Sequence, residues 1–428
     1  MRTVRDFLFV PEVRRNMTAT LYVSTNGCVE GQLSSTQVQR FFVLNGLRIT
    51  TECAEADFVV FYACGLTEET ERDSLSAIRN LQARMRPGAQ LIVWGCLPKI
   101  SPQSLRGVYQ GPLLGPLDTA FFEGLLDKVN APFNSVGEAC GADMLVVPDK
   151  PSNRWEDYGG ALSWTMALPE QAWDHVWRRA RKNTLFFIRV SSGCRGGCTY
   201  CSERCAFGRI KSRPINNVIH DFERGLRCGY NRFSLLATDL GAYGTDIGCS
   251  LRGLLSEMIS TDHRSHYKIE LNQVGAHYLR FLRSDLDDVF ASGKIGLLDS
   301  PVQSGSDRIL RLMGRSHTSE EWEKCMLGIR RKFPSIRLST HFQVGFPTET
   351  EEDFRMTLRF LDYPFLNEIT VFKFSARPST QAGRIPGQIP EAVKVLRRRR
   401  LLRKYAYLSP VRFFLRAGEF WYAVRADL

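Results

Sequence analysis

Between residues 186 and 374, short apolar runs alternate with helix-like stretches, and this alternation restricts the fold more than any other feature of the chain. The runs are Phe186–Ser191, Arg232–Ala237, Lys268–Leu271, Ile295–Leu298, Arg337–Val344 and Glu368–Phe374. Helical periodicity fills the gaps at Asn216–Arg227, Leu251–Ile259, Ala276–Ala291, Ser319–Arg331 and Glu351–Leu361. Strands separated by crossovers of this length pair in parallel, because antiparallel neighbours are joined by tight turns. The spacing therefore predicts a partial (βα)6 barrel whose chemistry sits at the carboxyl ends of its strands.

The first third repeats the pattern on a smaller scale. Strands are expected at Ala19–Ser24, Asp57–Ala63 and Gln90–Gly95, with helices at Ser34–Leu44 and Thr67–Met85. The fold class is thus α/β: an N-terminal doubly wound parallel-sheet domain over residues 1–145, then the barrel domain over 185–390. Residues 146–184, with an amphipathic stretch at Pro169–Lys182, read as a linker. Residues 391–428 read as a basic helix (Arg397–Lys404) and an aromatic tail (Phe413, Phe414, Phe420, Trp421, Tyr422).

Twelve cysteines are many for a chain of 428 residues that opens on charged residues rather than an apolar leader. No apolar run approaches the roughly 20 residues of a membrane span, so a cytoplasmic location and no membrane partner are expected. There, iron–sulfur ligation accounts better for abundant thiols than a disulfide framework does. The strand at Phe186–Ser191 leads straight into Cys194, Cys198 and Cys201, spaced C-x3-C-x2-C with glycines between. Three thiolates so close can wrap three corners of a [4Fe–4S] cubane, leaving one iron without a protein ligand. A closed zinc site needs a fourth thiolate, for which Cys205 is the candidate. Cys28, Cys64 and Cys96 each follow an apolar strand, and in a doubly wound sheet such strand ends share one ligand-binding edge. They form a second candidate triad. Cys53, Cys140, Cys228, Cys249 and Cys325 have no such placement and read as structural.

The C-x3-C-x2-C loop at a first barrel strand resembles the radical S-adenosylmethionine (SAM) superfamily. Pro301–Leu310 followed by Met313-Gly314-Arg315, and Val344–Phe354, resemble signatures of its methylthiotransferases, which modify tRNA or ribosomal protein. Thr25–Cys28, Ala63-Cys64 and Trp94–Cys96 match the contexts of that family's auxiliary-cluster cysteines. The resemblance implies two [4Fe–4S] clusters, SAM, and insertion of a methylthio group at an unactivated C–H bond. It implies SAM contacts from Tyr200, Thr238, Asp239, Gln303, Ser304, Val344 and Gly345, and a reducing partner such as flavodoxin or ferredoxin.

The chain departs from the family pattern in three places. About thirty residues follow Arg397, too few for the usual C-terminal β-barrel; His341 stands where an aspartate is usual; and Thr238-Asp239 replaces a Gly-Gln pair. A peptide or natural-product substrate is therefore expected ahead of tRNA. The formal charge of +12 keeps RNA as the alternative, although arginines also coat solvated helices. Sulfur insertion without methylation, and a non-catalytic cluster-bearing electron carrier, are the other readings.

Overall fold

The computed structural model describes residues 19–146, 185–261, 266–278, 285–362 and 365–408. The amphipathic stretch expected at Pro169–Lys182 and the aromatic tail lie outside these residues, as does part of the helix expected at Ala276–Ala291.

The N-terminal sheet has four parallel strands in the order β2-β1-β3-β4. These are β1 (Thr20–Thr25), β2 (Arg48–Ile49), β3 (Phe58–Ala63) and β4 (Gln90–Gly95). All but β2 coincide closely with runs read from the sequence. β3 is buried at five of its six positions, the signature of a strand covered on both faces. One face packs Leu21, Val60, Ile92 and Trp94 against Val38, Phe41 and Phe42 of helix α1 (Val29–Leu44). The other packs Tyr22, Val59, Phe61 and Val93 against Ile78 and Leu81 of α2 (Glu68–Arg84). The sheet is thus wound in both directions from the β1/β3 junction, where open α/β sheets bind their ligands.

The second sheet runs in the order β13-β12-β11-β10-β9-β6-β5. Six strands are parallel: β6 (Leu185–Arg189), β9 (Arg232–Leu236), β10 (Lys268–Leu271), β11 (Ile295–Asp299), β12 (Arg337–Val344) and β13 (Glu368–Lys373). They correspond to the six predicted runs and form the open barrel. The seventh, β5 (Ala139–Gly141), pairs antiparallel with β6, so the chain reaches this sheet before residue 145. A two-residue ladder between β7 (Ser191–Ser192) and β8 (Lys211–Ser212) pinches the base of the loop that carries Cys194, Cys198 and Cys201.

Two arginines tie the N-terminal unit across the open side of the barrel. At the end of β6, buried Arg189 donates to Glu30 Oε2 at 2.9 Å, Glu138 Oε2 at 3.2 Å and Ser34 Oγ at 2.6 Å. Burial opposes this charge, but Glu30 and Glu138 outweigh it and hold the guanidinium pKa above its usual range. Beyond β13, buried Arg377 pairs with Glu71 of α2, and the Glu68 N–H donates to Ser375 Oγ at 2.9 Å. The two grips lie beside the first and last parallel strands, so the cysteine edge of the small sheet faces the carboxyl ends of the barrel strands.

The basic segment after residue 390 is not simply a solvated face. Helix α3 (Glu391–Tyr407) buries Lys394 and Arg397. Lys394 Nζ donates to the Phe374 carbonyl at 2.9 Å, and Arg397 pairs with buried Glu349 at 2.7 Å. Arg400 pairs with Glu351 and lies over the Phe354 ring. Part of the arginine run is therefore used internally.

Candidate active site between two thiol triads

The first triad is assembled by sheet order. β1, β3 and β4 are neighbours, so residues just past their carboxyl ends are brought together whatever their distance in sequence. Cys64 and Cys96 immediately follow β3 and β4; Cys28 follows β1 after a short turn and precedes α1. Asn26 holds this turn, its amide donating to Ser74 Oγ at 2.9 Å while its oxygen accepts from Cys64 N at 3.0 Å. Tyr62 Oη lies 3.3 Å from Cys96 Sγ. Gly95 precedes Cys96 with φ +114°, and a Cβ there would meet the Ala63 carbonyl oxygen at 2.9 Å.

The second triad is assembled by one loop. Gly193 (φ +78°) precedes Cys194, and a Cβ on it would sit 2.2 Å from the Arg209 carbonyl oxygen, so only glycine fits the approach. Thr199 anchors the middle of the loop: its N–H donates to the Met313 carbonyl at 3.0 Å and its hydroxyl to the Leu312 carbonyl at 2.8 Å. The Met313-Gly314-Arg315 stretch is thus the support beneath the cysteine loop. Arg315 Nη1 lies 3.7 Å from Cys198 Sγ, and its other arm donates to the Pro301 carbonyl. Burial works against the Arg315 charge, but Tyr200 and Cys198 outweigh it and hold its pKa above the usual range.

All of these thiols are free. Solvent reaches Cys28, yet protein mass around it makes a thiolate costly; burial and then Cys64 push its thiol up to about 12. Cys64 is raised chiefly by burial, and Cys96 well above the usual range by burial and then Cys64. In the loop, burial and Asp239 push Cys194 up to about 12, while burial and Glu203 raise Cys201. Clustered thiols that resist ionisation this way need a cationic partner to become thiolates, which an iron core supplies. Among the described residues, no three His, Cys, Asp or Glu side chains converge on one point, as the ligands of a single zinc ion would. A cubane holds each thiolate on a different iron and does not require them to converge on one point. Cys205, the candidate fourth zinc ligand, is exposed and absent from the cavity wall.

A cavity of about 550 Å3 opens beside the loop triad. Its wall includes Cys194, Cys198, Tyr200, Cys201, Thr238, Asp239 and Gln303, all singled out from the sequence. Asp239 is buried and its Oδ2 accepts from Cys194 Sγ at 3.4 Å. Gln303 holds φ +75°, rare for a residue with a side chain, through backbone bonds of 2.8 Å to His341 and Gln343. Ser304, Val344 and Gly345, also expected as SAM contacts, are not among the residues lining this cavity. Ser304 is fully buried, its hydroxyl accepting from Ser306 N at 3.1 Å. The Val344 carbonyl accepts from Phe374 N, and Gly345 N donates to Glu349 Oε2 at 2.7 Å. The Val344 and Gly345 groups hold the turn after β12, and Ser304 the turn after β11.

Other wall residues had no assigned role in the sequence reading. Arg315 was visible only as part of a motif, and Gln273 (φ +59°) and Tyr278 gave no signal. Glu203 opens the short helix Glu203–Phe207 after Cys201, which packs Ala206 and Phe207 against Trp94 and Cys96. Burial and then Glu30 push its carboxyl up to about 7. His341, the substituted position, lies 3.4 Å from Asp299 in the barrel interior.

Comparison with known proteins agrees with this geometry. Residues 188–361 match the radical SAM superfamily, and residues 20–111 match the uncharacterized protein family UPF0004. A probable threonylcarbamoyladenosine tRNA methylthiotransferase of Pyrococcus horikoshii is 29% identical over 90% of this chain and 84% of its own length. The ribosomal protein uS12 methylthiotransferase RimO of an Anaeromyxobacter species is 28% identical over 90% of this chain and 77% of its own. In fold, the chain is similar to the radical SAM methyltransferase TsrM of Kitasatospora setae. The TM-score is 0.54 at 13% identity, over 86% of this chain and 74% of that one. A thiol-edged doubly wound sheet faces a barrel that matches the radical SAM superfamily, and along nearly its whole length the chain is similar to radical SAM methylthiotransferases, an enzyme type that works with SAM and two [4Fe–4S] clusters.

Proposed function

We propose that the chain inserts a methylthio group at an unactivated C–H bond of a peptide or natural-product substrate held between the two triads. The observation that carries this reading is the nearness of the triads: the short helix that follows Cys201 packs Ala206 and Phe207 into the same core as Trp94 and Cys96. Cys194, Cys198 and Cys201 would hold one cluster, and Cys28, Cys64 and Cys96 the other. When bound, these groups and SAM supply hydrogen abstraction, sulfur and the methyl group.

The chain's own residues do the positioning. Asp239 accepts hydrogen bonds at the cavity wall beside Cys194, where the SAM ammonium would lie; Thr238, Gln303 and Tyr200 complete that wall. Arg315 neutralises charge at Cys198. The Arg189 and Arg377 grips fix the distance across which the substrate is held. A reducing partner such as flavodoxin or ferredoxin would deliver electrons in the cytoplasm. Among the described residues, no helix is long and apolar enough to cross a membrane.

A second reading, tRNA as substrate, is favoured by exposed cations Arg195, Arg204, Arg209 and Lys211 on the cysteine loop and its flank. Phosphate-led binding would weaken steeply with salt, so affinity for tRNA that is indifferent to ionic strength removes this reading. The test of the function itself is anaerobic reconstitution: about eight irons are expected, and about four after Cys28, Cys64 and Cys96 are changed to alanine. That variant is expected to cleave SAM to 5′-deoxyadenosine but form no methylthiolated product. Full turnover in it would refute the proposal.

A further inference from the structure

Glu30, Glu71, Glu349, Asp221 and Asp353 each face an arginine, at Arg189, Arg377, Arg397, Arg213 and Arg308 respectively. Buried Asp239 and Asp299 face Cys194 Sγ and His341 instead. Glu203 faces neither an arginine nor a histidine. Its carboxylate lines the cavity, only partly exposed, and among the described residues it has no cationic partner. The adjacent Arg204 is turned away, donating to the Gly196 carbonyl at 3.0 Å. The nearby Glu30 is already committed to Arg189.

The placement is enforced rather than incidental. The short helix opened by Glu203 is clamped by Ala206 and Phe207 in the core around Trp94 and Cys96. This sets Glu203 beside the loop triad, 3.9 Å from Cys201 Sγ, at the head of a helix that shares a core with Cys96 of the other triad. A substrate held in this cavity would lie beside Glu203. An enclosed carboxylate without a partner is costly, and a cation that lies against it there removes that cost. Arg195 and Arg315 line the same cavity, but Arg315 is engaged with Cys198 and the Pro301 carbonyl and Arg195 with Tyr278; the rest of the chain's positive charge is screened beyond about 8 Å at physiological salt.

We propose that Glu203 is a specificity-determining residue that pairs with a cationic nitrogen group, an ammonium or guanidinium, carried by the substrate next to the carbon being modified. This rests on the methylthiotransferase reading above and narrows its substrate to a cationic peptide or amine.

The test uses the full chain, anaerobically reconstituted, with an uncleavable aza analogue of SAM filling the SAM site. Argininamide and its uncharged isostere citrullinamide are titrated separately, and binding is read from broadening of their side-chain proton resonances by the reduced, paramagnetic clusters. Wild type is expected to prefer argininamide by about tenfold, equivalent to about 1.4 kcal/mol. In Glu203→Gln the preference should fall below about threefold, and Glu203→Asp should recover part of it. Equal binding of the two probes by wild type, or an undiminished preference in Glu203→Gln, overturns the assignment. So does loss of either cluster's paramagnetic signal in both variants, which would make Glu203 a support of the cluster. Reconstitution to about four irons in wild type would instead sink the functional reading itself.

Discussion

The two thiol triads reach the same chemical end by opposite routes. Cys194, Cys198 and Cys201 lie within a single loop, so their convergence needs only a tight backbone and the support of Thr199. Cys28, Cys64 and Cys96 are spread over three βα units and converge only once β1, β3 and β4 have paired. A local triad can form around its cluster while the rest of the domain is incomplete. A triad made of strand ends exists only in the folded sheet, so its cluster loading reports folding of the whole N-terminal unit.

The sharpest way to test this contrast is at the glycine before each triad. Gly193→Ala forces a Cβ against backbone in a left-handed conformation, a strain of about 3 kcal/mol or more. It should abolish iron at the loop triad alone, leaving about half the total and a native circular dichroism spectrum. Gly95→Ala, with a looser contact, should cost about 2 kcal/mol and lower the melting temperature together with iron content. If both variants lost iron with no change in melting, the distinction would fail.

Arg189→Met leaves Glu30 and Glu138 without their shared partner, and breaking such an enclosed network costs about 3 kcal/mol. The two triads should then load independently in iron assays while methylthiolation disappears, since their separation is no longer fixed. Tyr62→Phe removes the hydroxyl beside Cys96, worth about 1 kcal/mol. It should shift the redox titration of the strand-end cluster and leave the loop cluster unmoved.

The smallest effect concerns acid. Asp353 accepts from Ser306 Oγ at 2.6 Å and pairs with Arg308, and these bonds hold its carboxyl below the usual range despite burial. A depressed folded-state pKa contributes stability that is present above about pH 4 and lost as pH falls further. With Arg308 partly in solvent the contribution is about 1 kcal/mol. Asp353→Asn should therefore lower stability at neutral pH, and the deficit should shrink steadily as pH falls below about 4 toward the depressed folded-state value, as seen in denaturant titrations across the acid range.

Much of this architecture was legible because it is local. The six barrel strands stand out since each is a short apolar run between helices, and Cys28, Cys64 and Cys96 since each ends such a run. β5 escaped because a strand of three residues at a sheet edge carries no periodicity and is defined by its partner β6. The engagement of Arg397 escaped for the same reason: its counter-charge, Glu349, is 48 positions away. Ser304, Val344 and Gly345 follow strands, and the sequence does not show that polar groups at these strand ends are bonded within the protein. Glu203 and Arg315 acquire roles only from what folds against them.

The grips at Arg189 and Arg377 have one more consequence. Each joins the small sheet to a different flank of the barrel, and the short helix after Cys201 packs into the small sheet's core as a further attachment. Weakening any one of these therefore loosens the spacing between the triads without unfolding either sheet.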